Sequence, residues 1–175
     1  MTPLAHSAIG LLGWQKAVSE KNIKTLFIFV LCSNLPDIDF LIIPLLRSGD
    51  MQFHQSYTHN IFFIGLVTLI LFNVFKTGKA RLSLFLVAVS HLVLDLIIID
   101  PVAPVGIRVF FPLWNKLFNF GFFPNFLRGD LGMVFSWHNL MTVALEVSLF
   151  ALPVLYLYGT KTMRLMGKKK FWNNS

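Results

Sequence analysis

Four stretches of this chain, residues 25–46, 58–75, 82–99 and 140–158, stay apolar over nearly the length of a bilayer-crossing helix. Such a helix needs roughly 20 apolar residues, with about 17 as a lower limit. Lipid accepts only segments that satisfy their own backbone hydrogen bonds, so runs this long leave few alternatives. Composition agrees: 55% of residues are hydrophobic and 13% charged, where a soluble domain carries about a quarter charged. The sequence predicts an all-α integral membrane helical bundle of about four transmembrane helices. It excludes an ordinary cytosolic enzyme, a disordered tail and a disulfide scaffold. Cys32 is the single cysteine, so no internal disulfide and no cysteine-based metal cage can form.

The segment from Leu4 to about Val18 is too short to span and reads as a re-entrant or interfacial helix, with Thr2-Pro3 as N-cap and first turn. No basic residue precedes it, so a cleaved signal peptide is not expected. Gly10 and Gly13, with Ala8 nearby, would let it approach a neighbour closely. Pro36 suits the first turn of a helix and not its interior, so the first long run should break near Leu35. Basic residues cluster at 16–24, at 76–81 and at 161–170. With four crossings all three clusters fall on one side, cytoplasmic by the positive-inside rule, and the loops 47–57 and 100–139 face outward. Residues 1–160 form one membrane-embedded domain and 161–175 a basic cytoplasmic tail. The net charge of +7 is thus assigned to topology and lipid headgroups, and no nucleic-acid partner is expected. From Ile107 to Leu127 the chain turns aromatic, as an interfacial belt or as a wall that holds acyl chains.

Ionisable groups inside apolar runs are costly, about 2.5–3.5 kcal/mol at the bilayer centre on insertion scales, and so mark function. His91 and Asp95 share a helix face at i, i+4, where they can hold one metal ion or simply hydrogen-bond each other. Asp37 and Asp39 flank Ile38 beside Pro36; they either meet an ion where the backbone turns or complement a helix dipole. His54 and His59, about 140° apart on a helix, share no face unless Thr58 caps the next helix and lets a loop histidine converge. His6 stands alone on the first segment. His138 and Glu146, two turns apart, are candidates for a second ion. Imidazole and carboxylate without thiolate suit zinc, manganese or iron.

His6 to Gly10, Leu35-Pro36-Asp37-Ile38-Asp39, His54 to Thr58-His59, and His91 to Asp95 with Gly106 and Pro112 occur in this order. Over roughly residues 1–115 the chain thereby resembles the YdjM-type family of membrane-bound metal-dependent hydrolases. It departs from the family boxes at Phe40, Gln55-Ser56 and Asn60. The family is distantly similar to zinc-dependent phospholipase C and the single-strand zinc nucleases. The resemblance implies a metal set of His6, Asp37, Asp39, His54, His59, His91 and Asp95. It also implies a role for Asp37, Asp39 or His59 in activating water, and a phosphoester substrate such as a membrane lipid. On the residues alone, a proton- or divalent-metal-conducting transporter, or a non-catalytic membrane assembly protein, would use the same His/Asp cluster.

Overall fold

Pro3 occupies the first turn of helix α1 (Pro3–Ala17), where its missing N–H costs nothing. Thr2 holds the N-cap position, yet its hydroxyl makes no cap bond. Asn22 opens α2 (Ile23–Asn34) with a reciprocal capping box: its side chain accepts from Thr25 N at 2.9 Å, and Thr25 Oγ1 accepts from Asn22 N at 3.3 Å. The α-helical pattern stops where proline would break it, and Leu35–Leu41 continue as a 3-10 helix. The computed structural model describes residues 1–41, 54–99, 105–127 and 131–158, with the backbone alone at 39–41 and 54–55.

A π-helical turn, His54–Thr58, leads into α3 (Ile61–Leu71), which tightens into a 3-10 turn over Phe72–Val74. The cap of α3 is Asn60, whose Oδ1 accepts from Phe63 N at 2.8 Å. Thr58, the cap under which the two box histidines could converge, ends the preceding turn instead, and His59 lies just outside the helix. Thr77 caps α4 (Gly78–Leu96) through Ala80 N. A short turn, α5 (Leu131–Val134), precedes α6 (Trp137–Glu146), which Ser136 caps. The helix then runs through a π-turn, Val147–Ala151, to Tyr158. The described residues contain no strand, only isolated bridges pairing Ile98 with Phe123 and Ile107 with Phe118.

The architecture is all-helical, but four full spans are not present among the described residues. Only Trp137–Tyr158, 22 residues with 17% of its apolar window buried, is long and apolar enough to cross a membrane. The other runs lose length to their punctuation. The 25–46 run leaves α-helix at Asn34, and the 58–75 run spends residues on the turn, cap and 3-10 end around α3. α4 is 19 residues long but carries Lys79, Arg81 and Asp95.

α1 packs against α2 and α4, and the glycines make the approach possible. A Cβ on Gly10 would sit 2.7 Å from Ser33 Oγ and 2.9 Å from the Phe29 oxygen; one on Gly13 would sit 2.4 Å from Val87 Cγ2. Phe29, Cys32, Ile64, Leu84, Ala88 and Leu92 fill the space between α2, α3 and α4. Beside this apolar core the interior also holds polar groups, and much apolar surface faces outward. His6, Ser33, His59, Asn60, Thr68, His91 and Glu146 are buried, while Phe27, Leu66, Ile70, Leu86 and Leu155 lie exposed.

The basic loops share one end of the bundle, where Lys76 Nζ reaches Glu20 Oε1 at 3.3 Å and Arg81 Nε donates to the Phe72 and Phe75 carbonyls. α4 runs from that end, so His91 and Asp95 lie towards the other. There the aromatic segment folds over the C-terminus of α4: Phe120 N, Phe122 N and Phe123 N donate to the carbonyls of Leu96 and Ile97.

Candidate metal centre

Three elements deliver four ligands to a single point. The 3-10 helix after Pro36 supplies Asp37, the residue before the α3 cap supplies His59, and the last two turns of α4 supply His91 and Asp95. One ligand atom from each lies within 4.8 Å of all the others. Asp95 Oδ2 is 3.0 Å from His91 Nε2 and 3.2 Å from His59 Nε2. Asp37 Oδ1 is 3.5 Å from His59 Nε2 and 3.7 Å from His91 Nε2. The two Nε2 atoms face each other across 3.1 Å.

The rings are oriented from behind. His91 Nδ1 lies 2.8 Å from the Ser33 carbonyl oxygen. A carbonyl only accepts, so this nitrogen carries the proton and Nε2 of a neutral ring presents its lone pair to the cluster. His59 Nδ1 contacts Thr58 Oγ1 at 3.2 Å. Both imidazoles are fully buried, whereas the side chains of Asp37 and Asp95 keep 20% and 14% exposure. The centre is therefore open on its carboxylate side and closed behind its histidines.

Lone pairs from two imidazoles and two carboxylates repel one another unless a cation lies between them. Protons can play that part, and so can a metal. The donor set fits a divalent metal: imidazole and carboxylate, four ligands, and a histidine whose second nitrogen is fixed by a main-chain oxygen.

His6 borders this group rather than joining it. Its ring stacks on His91 with centroids 3.9 Å apart, and Nε2 is 3.6 Å from Asp95 Oδ1. Both ring nitrogens are buried without a hydrogen-bond partner among the described residues. Burial pushes the imidazole down to about 4, so the ring is neutral. The Met1 ammonium contacts Asp95 Oδ1 at 2.7 Å.

The side chains of Asp39 and His54 lie outside the described ones. His138 and Glu146 do not come together: His138 is exposed with Nε2 at 2.9 Å from the Asn125 carbonyl, and Glu146 is buried against Thr2. The Glu146 carboxylate accepts from Thr2 N at 3.1 and 3.2 Å and from the Thr2 hydroxyl, which anchors the start of α1 to α6. Neither that contact nor the Ser33 carbonyl carries a sequence signature; the signal for Glu146 is only a carboxylate inside an apolar run.

Fold and site together define a helical membrane protein with a buried His/Asp cluster at one end of its bundle. The chain belongs to the YdjM inner membrane protein family, whose model matches residues 1–169. No curated protein and no solved structure matches it significantly.

Proposed function

We propose that the protein is an integral membrane metal-dependent hydrolase that cleaves a phosphoester, with a phospholipid as the substrate nearest to hand. The observation that carries the reading is the convergence of Asp37, His59, His91 and Asp95 while the Nδ1 proton of His91 is committed to Ser33. These four residues would hold the cation with His6 beside them, and His54 would add a further ligand on the strength of its motif alone. Zinc suits the donors best, with manganese or iron as substitutes. A divalent cation there supplies the Lewis acidity that polarises a phosphoryl oxygen and acidifies water near neutral pH. Asp39, the aspartate that this four-residue set leaves over, would orient that water and accept its proton. His59 and His91, enclosed by protein, keep their orientation through the reaction. The partly exposed carboxylates mark the side from which substrate enters.

The bundle sits in the membrane around α6, its outward apolar side chains against lipid. The positive-inside rule puts the shared basic end and the tail in the cytoplasm and the metal centre towards the opposite face. The test is turnover of a phosphodiester by the detergent-purified, zinc-loaded protein. Wild type should hydrolyse it, and His91→Ala and Asp95→Ala should lose about 100-fold or more. Tight zinc binding without cleavage of any phosphoester would overturn the hydrolase and favour cation passage, measurable in proteoliposomes.

A further inference from the structure

A phosphoester hydrolase must also place the negative charge of its substrate, and a centre holding two carboxylates is poorly suited to that alone. Most of the described basic side chains lie at the far end of the bundle, where Arg81 is spent on the Phe72 and Phe75 carbonyls. Lys116 lies over the Trp114 and Phe118 rings. Arg108 is placed differently. Its Nη1 donates to Ser56 Oγ at 2.6 Å, and Ser56 is a buried residue of the π-turn that leads to His59. Ser56 is three positions before His59, at most about 11 Å of fully extended chain and less in a turn.

The guanidinium is held rather than draped. Arg108 Nε donates to the Asn115 carbonyl at 3.3 Å. Its neighbour Ile107 pairs with Phe118 through two main-chain bonds of 3.0 Å, and Val109 O accepts from Ile61 N at 2.9 Å. Gly106 makes the bend possible: its φ is +97°, and a Cβ there would meet Phe118 O at 2.4 Å. Both flanks of His59, at Ser56 and Ile61, are thus tied to the Arg108–Val109 segment. Among the described residues, Arg108 donates through Nε and Nη1, and Nη2 makes no bond. Nη2, with two hydrogens, and the second hydrogen of Nη1 are left for the oxygens of an anion, the charge-assisted pairing that guanidinium offers to phosphate. The Ser56 hydroxyl, which accepts from Arg108, keeps its own hydrogen to donate.

We infer that Arg108 and Ser56 form an oxyanion subsite beside the metal centre, which binds the phosphoryl group of the substrate. The inference rests on the phosphoester reading and deepens it: the substrate is an ester that keeps a negative charge, and Arg108 is a binding residue selecting for it.

The probe is inorganic phosphate, titrated calorimetrically into the zinc-loaded full chain in detergent. Arg108→Gln should weaken phosphate binding about 10-fold or more and leave the zinc content unchanged. Arg108→Lys should recover only part of the loss, because an ammonium lacks the fork, and Ser56→Ala should show a smaller loss. Undiminished phosphate binding in Arg108→Gln, or none in wild type, overturns the subsite; should that variant not fold, Arg108→Lys and Ser56→Ala decide it on the same readout. A wild type that loads no zinc yet binds phosphate through Arg108 would keep the subsite while the metal reading fell. Competition by phosphatidic acid in mixed micelles identifies a lipid headgroup as the source, and competition by glycerol phosphate alone a soluble ester; either supports the subsite.

Discussion

His91 donates from Nδ1 to the main-chain oxygen of Ser33, 58 residues earlier, across 2.8 Å. The bond joins the last turns of α2 and α4 and fixes which nitrogen of His91 faces the cluster. The geometry of the His/Asp cluster therefore depends on how closely the helices pack, and not only on its four side chains.

Gly10 sets that packing at Ser33. Gly10→Ala places a methyl 2.7 Å from Ser33 Oγ and 2.9 Å from the Phe29 oxygen. Overpacking costs about 1–3 kcal/mol, against a helix gain of about 0.5–1 kcal/mol for replacing glycine. The expected result is a Tm lowered by a few degrees in detergent together with weaker zinc binding. Gly65→Ala, with nothing within 4 Å of its added Cβ, should leave Tm unchanged or raise it. Equal behaviour of the two variants would contradict this account of α1.

Asn60 bonds in both directions, capping Phe63 N and donating to the carbonyls of Ser56 at 2.7 Å and Tyr57 at 2.9 Å. Asn60→Ala removes the cap and two bonds that hold the His59-bearing turn. A loss of about 1–2 kcal/mol is expected from the cap alone. Zinc affinity should fall alongside stability, as read by thermal unfolding and by competition with a chelator.

Glu146 ties α6 to the first residues of the chain. Glu146→Ala leaves the Thr2 N–H and hydroxyl without their acceptor, at about 1–3 kcal/mol, and should loosen the start of α1. Glu146→Gln keeps one acceptor oxygen and should lose less. Hydrogen exchange of the α1 amides measures this; equal protection in wild type and Glu146→Ala would show that the contact holds nothing.

Local chemistry made part of this structure readable. Pro36 announces the end of α2, Gly10 and Gly13 announce a close helix contact, and the i, i+4 spacing of His91 and Asp95 announces a shared face. The number of spans was not readable in the same way, because the length of an apolar run is not the length of a helix. In the 58–75 run the turn and cap residues Thr58 to Asn60 and the 3-10 end at Phe72–Val74 leave α3 only 11 residues. Thr58 and Asn60 are both good caps, and only the fold chooses between them. His138 and Glu146 are two turns apart and looked like partners, yet one meets the Asn125 carbonyl and the other Thr2. Such partners, like the Ser33 carbonyl behind His91, come from distant chain and have no local trace.

Elemental analysis of the detergent-purified protein, wild type beside Asp95→Ala, tests the central claim most directly. Asp95 Oδ2 touches both histidines of the cluster, so its removal breaks the centre while the apolar packing around it remains. Wild type should carry about one tightly held divalent ion, zinc foremost, and Asp95→Ala should carry almost none. Equal metal in the two proteins, or none in either after zinc loading, would contradict the assignment of Asp37, His59, His91 and Asp95 as a metal centre.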